Sequence, residues 1–189
     1  MLPDLCRDGC LGAREERQHR AHELLRLLAH QKVATPLDDA HFRLGEHAFH
    51  LLEMPERKDG VWEFWVPVVR VPALGGKKVT MQDYNLWYAM NGAKEEPGRD
   101  AELTAATLDT YRAAYQAAYN TNRAPLTIGN HFNDWSGGAF SRATEQFMTE
   151  VCVRPDTVCA TYSEVLDWMK LQDPAVLDTF RHKPHAQIS

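Results

Sequence analysis

From residue 60 onward the chain alternates short extended runs with longer helical ones, and this alternation restricts its fold more than any single motif does. Lys58-Asp59-Gly60 is a turn signal. Val61 to Val71 then reads as a strand, broken or bulged at Pro67, whose ring removes a ladder donor. Gly75-Gly76 turns the chain into a second short strand over Lys78 to Asp83. Asp100 through Asn120 is a long amphipathic helix, with Leu108, Tyr111, Tyr115 and Ala118 at helical spacing. Pro125 to Ile128 is a third extended run, and a helix follows through Phe140, Ala143, Phe147 and Val151. Thr157 to Tyr162 is a further strand, Ser163 to Lys170 a helix, and Asp173-Pro174 opens one more helical turn. Repeated strand and helix predict an α/β fold built on a largely parallel sheet, or on part of a (β/α) barrel. The 1–55 segment reads as mainly helical or irregular. Its charged helix, at about 13–30, gathers Leu24, Leu25, Leu27 and Leu28 on one side. The α/β pattern occupies 56–172, and 173–189 reads as a tail.

Composition excludes several classes of partner. With 189 residues, 44% of them hydrophobic, the chain can bury one core. A net charge of −5 argues against nucleic acid, because the cationic surface that displaces counterions is missing. No segment approaches the roughly 18 unbroken apolar residues of a membrane span. The start, Met1-Leu-Pro-Asp-Leu-Cys-Arg-Asp8, has acids and a proline where a signal peptide has basic residues followed by an apolar run. A cytoplasmic polypeptide is therefore expected.

Two groups of residues point to chemistry. Asn122 to Trp135 reads as a strand that exits through Gly129 and Asn130 onto His131, an imidazole able to act as acid or base near neutral pH. Asp83-Tyr-Asn-Leu-Trp-Tyr88 ends the strand before it; a carboxylate there can orient an imidazole. Alone, Asp83 is a helix or turn cap and Trp87 a core residue. At the ends of successive parallel strands, however, Asp83 and His131 would face one cleft. Tyr84, Trp87 and Trp135 are the aromatic candidates for its walls. Cys152 and Cys159 are close enough in sequence to close as a disulfide in an oxidising compartment, or to remain free thiols in the cytosol. Cys6, Cys10, His19 and His22 are spaced C-x3-C-x8-H-x2-H, shorter than the roughly twelve-residue interval of a zinc finger. His47, His50, Asp38 and Asp39 read as a solvated loop.

Several segments, in order, resemble one family. Gly60-Val-Trp-Glu-Phe-Trp-Val-Pro, Met81-Gln-Asp-Tyr-Asn-Leu-Trp, Asn122-Arg-Ala-Pro-Leu-Thr-Ile-Gly-Asn-His and Val151-Cys-Val-Arg-Pro-Asp-Thr-Val-Cys are similar to segments of polysaccharide deacetylases. This is the NodB-homology family, carbohydrate esterase family 4. Tyr162-Ser-Glu-Val-Leu-Asp-Trp resembles that family's closing helix. The likeness covers roughly the last two-thirds of the chain, the C-terminal part of the family's domain.

That resemblance implies the C-terminal portion of a distorted (β/α) barrel and metal-dependent hydrolysis of acetyl groups from a glycan such as chitin or peptidoglycan. It makes His131 the late general acid, Asp83 the aspartate that tunes it, and Trp87 the wall of the acetyl pocket. The family uses zinc, held by an aspartate and a His-x-x-x-His pair. Here no two of the nine histidines are four apart. Thr35-Pro-Leu-Asp-Asp-Ala is the nearest string to the family's Thr-Phe-Asp-Asp-Gly. The expectation is a truncated, inactive deacetylase that holds no metal strongly, with association covering exposed barrel edges. The alternative is a non-catalytic carbohydrate-binding or partner-completing half-barrel, in which Trp62, Trp65, Trp87 and Trp135 stack on sugars.

Overall fold

The structure is a computed structural model that describes the backbone of Phe42–Leu44 and residues 53–183. The expected helix at 13–30, the Cys6, Cys10, His19 and His22 set, and His47, His50, Asp38 and Asp39 lie outside the described residues.

The first sheet has three strands. β1 (Phe42–Leu44) runs parallel to β3 (Val61–Phe64), and β2 (Glu56–Lys58) pairs antiparallel on its other side. Asp59 and Gly60 both take left-handed backbone between β2 and β3, as a two-residue hairpin turn requires. At Pro67 the chain leaves this sheet, as the missing donor foretells. β4 (Val68–Val71) then forms a separate antiparallel hairpin with β5 (Lys77–Thr80). Val69, Val71 and Val79 face inward while Arg70 faces out, the period-two pattern of a half-buried hairpin.

Helices supply the rest: α1 (Asp83–Asn91), α2 (Asp100–Asn120), α3 (Trp135–Val151), α4 (Tyr162–Lys170) and α5 (Pro174–Arg181). Leu103, Leu108, Tyr111 and Ala114 of α2 meet Ala139, Phe140, Ala143 and Phe147 of α3 in the main core. They close over the inner face of the β4–β5 hairpin and Leu86 of α1. The alanines on both helices leave room for the rings between them. Arg112 of α2 clasps Glu150 of α3 on the outside, holding that carboxyl below its usual range. A second cluster joins Met54, Ala118, Ala124, Met169 of α4 and Leu177 of α5. α4 starts on a reciprocal cap: Thr161 accepts from the Glu164 N–H and Glu164 accepts from the Thr161 N–H.

The mixed α/β class holds, and the expectations of a largely parallel sheet and of strands at 125–128 and 157–162 are corrected. Among the described residues the strands form two small sheets, mostly antiparallel, and no closed barrel. The run at 125–128 does not join a ladder. It touches the sheet region through a single parallel bridge, Gln82 to Gly129. Pro125 has no N–H to give, and Asn122 turns inward to accept from the Ala124 N–H. Thr157 to Thr161 is also unpaired.

Side chains account for that last departure. A disulfide joins Cys152 to Cys159, with Cα atoms 5.4 Å apart. The intervening loop is stitched to α2 rather than to a strand. Tyr115 Oη lies 2.6 Å from Thr157 Oγ1, Tyr119 donates to Asp156, and Arg154 sits over the Tyr115 ring. Replacing both cysteines by serine is expected to lower the unfolding free energy by about 2–3 kcal/mol, the loop-closure value for so short a loop. Urea denaturation of the oxidised wild type against the double variant measures it; equal midpoints would show that the loop is held by α2 alone.

Candidate functional site

The site is built where β5 passes into α1. The Met81 carbonyl accepts from the Gly129 N–H at 3.1 Å, and the Asp83 N–H donates to the Gly129 carbonyl at 3.0 Å. These two bonds lay residues 129–131 alongside 81–83. The approach is close: a Cβ on Gly129 would stand 3.0 Å from Gln82 Cγ and 3.2 Å from its Cβ, tighter than side chains normally meet. Glycine is what that crossing permits.

Asp83 is the first residue of α1, where the helix dipole favours an anion. Its carboxylate is 1% exposed and collects three N–H groups. Oδ1 accepts from the Tyr84 N–H at 2.7 Å and from His131 Nδ1 at 2.6 Å, and Oδ2 accepts from the His131 backbone N–H at 2.6 Å. The imidazole itself is 47% exposed. In the neutral ring the Nδ1 proton faces the carboxylate, so Nε2 presents its lone pair outward, with the Gln82 amide nitrogen 3.5 Å away. A buried anion thus orients an open imidazole.

A polar layer lies behind the dyad. Asn130 donates to Thr144 Oγ1 at 2.9 Å and accepts from the Phe132 N–H at 2.6 Å, holding Phe132 in left-handed backbone. Tyr111 of α2 reaches the same region. Burial pushes its phenol well above the ordinary value and the nearby Asp83 charge adds to the rise. The Thr144 hydroxyl opposes that rise without completing a hydrogen bond of regular geometry.

Aromatic rings form the wall. The Trp135 centroid is 5.5 Å from that of His131. Trp135 also stacks on Trp87, with centroids 5.0 Å apart and planes 19° from parallel. Tyr84 stands edge-on to both, at 5.5 Å from Trp135 and 6.3 Å from Trp87. Trp87 is buried and its indole N–H donates to the Lys94 carbonyl at 3.2 Å, whereas Tyr84 and Phe132 are exposed. Trp135 is carried on a strained entry into α3, because Ser136, Gly137 and Gly138 are all left-handed. The Glu95 carboxylate accepts the Ser136 N–H at 2.8 and 3.1 Å.

The residues singled out in the sequence therefore meet. His131 and Asp83 bond, and Tyr84, Trp87 and Trp135 surround them. Their placement differs from expectation. Asp83 opens a helix and His131 lies in a loop, so neither closes a strand; one bridge does the work assigned to two parallel strands. Trp62 packs against the second core cluster and Trp65 is buried. Neither carries the stacking surface expected of it, and the buried Trp87 backs Trp135 without presenting a face of its own. Gln82, Thr144 and Glu95 went unrecognised. The only sequence signal for Glu95 is its place between Gly92 and Gly98, opposite the equally glycine-rich Trp135-Ser-Gly-Gly138.

Among the described residues no group of three or more histidine, cysteine, aspartate or glutamate side chains converges. Asp83 and His131 spend their inner donor atoms on each other, leaving Nε2 as one outward ligand atom. What the arrangement can do is move a proton at Nε2 beside an aromatic face. Among the described residues no helix is long and apolar enough to cross a membrane. No protein-family model matches the chain, and no curated protein or solved structure matches it either.

Proposed function

We propose that the chain is a polysaccharide deacetylase-like protein that binds an acetylated glycan at the Tyr84, Trp87, Trp135 and His131 site. His131 and Asp83 there form the general-acid half of an acetyl-removing reaction. The observation that carries this reading is the half-exposed imidazole held at 2.6 Å by a buried carboxylate, its ring centroid 5.5 Å from that of Trp135. The exposed Tyr84 ring and the half-buried Trp135 suit pyranose rings, whose C–H faces are apolar. A protonated imidazole suits the leaving amine or hydroxyl of the sugar. In that step the Nε2 proton passes to the departing nitrogen or oxygen while Asp83 stabilises the cation until Nε2 gives its proton up. Because the sequence holds neither the family's His-x-x-x-His pair nor its Thr-Phe-Asp-Asp-Gly string, binding without turnover is the expected behaviour.

Calorimetric titration with chito-oligosaccharides, beside an acetate-release assay supplemented with zinc, tests this. Binding with a millimolar or tighter Kd that weakens at least tenfold in Trp135→Ala, with no acetate released, agrees with the proposal. No detectable binding at several millimolar sugar would sink it. A second reading, a carbohydrate-binding surface with no acid role, is favoured by the exposure of Tyr84 and Phe132. It predicts that His131→Ala binds substrate and a deacetylated oligosaccharide as the wild type does. An acid poised at the acetamide instead makes His131→Ala discriminate less between the two.

A further inference from the structure

We propose that Glu95 is the positioning residue of this site, a latch that sets the Trp135 indole against His131 and so shapes the surface that meets the glycan. This rests on the glycan reading for its consequence, though not for its geometry.

The loop between α1 and α2 touches the aromatic wall at two successive residues. The Lys94 carbonyl takes the Trp87 indole N–H at 3.2 Å and is itself pinned by Asn91 Nδ2 at 2.7 Å. Glu95 takes the Ser136 N–H with both carboxylate oxygens. Each member of the Trp87–Trp135 stack is therefore anchored, directly or through the next residue, to one short piece of loop. The Ser136 anchor has a clear task. Ser136 has φ 48° and ψ 52°, a left-handed conformation that a residue with a Cβ avoids without an external hold. Its hydroxyl is buried and has no hydrogen-bond partner among the described residues, so it gives no local reason for that backbone shape. Gly137 and Gly138 continue the left-handed turn at little cost, and Gly138 closes it by donating to the Asp134 carbonyl at 3.0 Å. Arg142 donates to the Gly137 carbonyl, so the two glycines have holds of their own. The charge-assisted bond from Glu95 is the hold on Ser136, the member of the turn that carries a Cβ; without it Ser136 relaxes. Trp135, the residue just before it, then swings away from Trp87 and His131.

The latch couples Ser136 and Glu95 energetically, and that coupling is the test. Two stacked indoles couple their ultraviolet transitions, giving a split circular-dichroism band, and Trp135 at 5.5 Å shifts the His131 ring-proton resonances. In Glu95→Ala the split band should disappear, the His131 resonances should move toward those of a free histidine, and chito-oligosaccharide binding should weaken about tenfold. Glu95→Gln, which keeps one acceptor oxygen, should restore most of each signal. Adding Ser136→Gly to Glu95→Ala should also restore the band, because glycine holds the left-handed turn unaided. A Glu95→Ala protein with an unchanged band and unchanged His131 resonances overturns the proposal. So does a double variant that stays as perturbed as Glu95→Ala. Should Glu95→Ala alone fail to fold, the comparison of Ser136→Gly with the double variant decides: matching bands support the latch and a lost band refutes it. Wild-type protein that binds no glycan, with the band still lost in Glu95→Ala, refutes the function and leaves the latch standing.

Discussion

Asp83→Ala is expected to lower the unfolding free energy by about 3–4 kcal/mol and to abolish the order of the candidate site. The carboxylate is the acceptor for three N–H groups, two of them backbone, at 2.6–2.7 Å. Alanine leaves the His131 and Tyr84 N–H groups facing a space with no acceptor, and each orphaned donor costs about 1–3 kcal/mol. The His131 ring simultaneously loses the contact that fixes its tautomer and its angle. Asp83→Asn separates the two consequences. It keeps the shape and one acceptor oxygen, but turns an NH2 group toward donors, so about half of the stability loss should remain while the imidazole is still misdirected. Urea denaturation gives the first quantity, and the His131 ring resonances with glycan titration give the second. An Asp83→Ala protein as stable as the wild type would show that these bonds form no part of the folded state.

Tyr111→Ala should be the most damaging core change, at about 3–5 kcal/mol, whereas Tyr111→Phe should stay within about 1 kcal/mol of wild type. Tyr111 is fully buried at the α2–α3 junction, packed edge-on against Phe147 at 5.7 Å. Deleting the ring opens a cavity between two helices whose neighbours, Ala114, Ala139 and Ala143, are too short to fill it. The hydroxyl is another matter. Burial raises its pKa far above normal and no regular hydrogen bond repays that burial, so phenylalanine removes a penalty along with a weak contact to Thr144. Chemical denaturation of both variants reads the contrast. A Tyr111→Phe loss as large as that of Tyr111→Ala would mean that the phenol holds the polar layer behind His131 in place.

Helices were the legible part of the fold. Asp100–Asn120 was visible in its apolar spacing and the start of α5 in Asp173-Pro174, because those signals are local and act through nearest turns. The cap of α4 at Thr161 fell inside a run that reads as a strand, and α1 inside one that reads as a strand end. Strands were less legible. Thr157 to Tyr162 has the composition of a strand, yet pairing needs a free neighbouring edge. The disulfide and the Tyr115 and Tyr119 hydroxyls bind this stretch to a helix instead. The run ending at Ile128 failed for a similar reason, with Pro125 and the inward Asn122 leaving one bridge where a ladder was expected.

For the site, the sequence by itself determined which groups are the candidates for chemistry: an imidazole at His131, a carboxylate at Asp83 and three aromatic rings within reach of them. Side-chain identity and the glycine at 129 are enough to say that much. Only the tertiary structure decided how those groups are used. Hydrogen-bond distances and burial depend on residues 48 positions apart meeting within 3 Å, and no local pattern encodes such a meeting. The same holds for Glu95, which reaches across 41 positions to a strained serine. Its role exists only because the chain brings a free carboxylate to a backbone conformation that would otherwise relax.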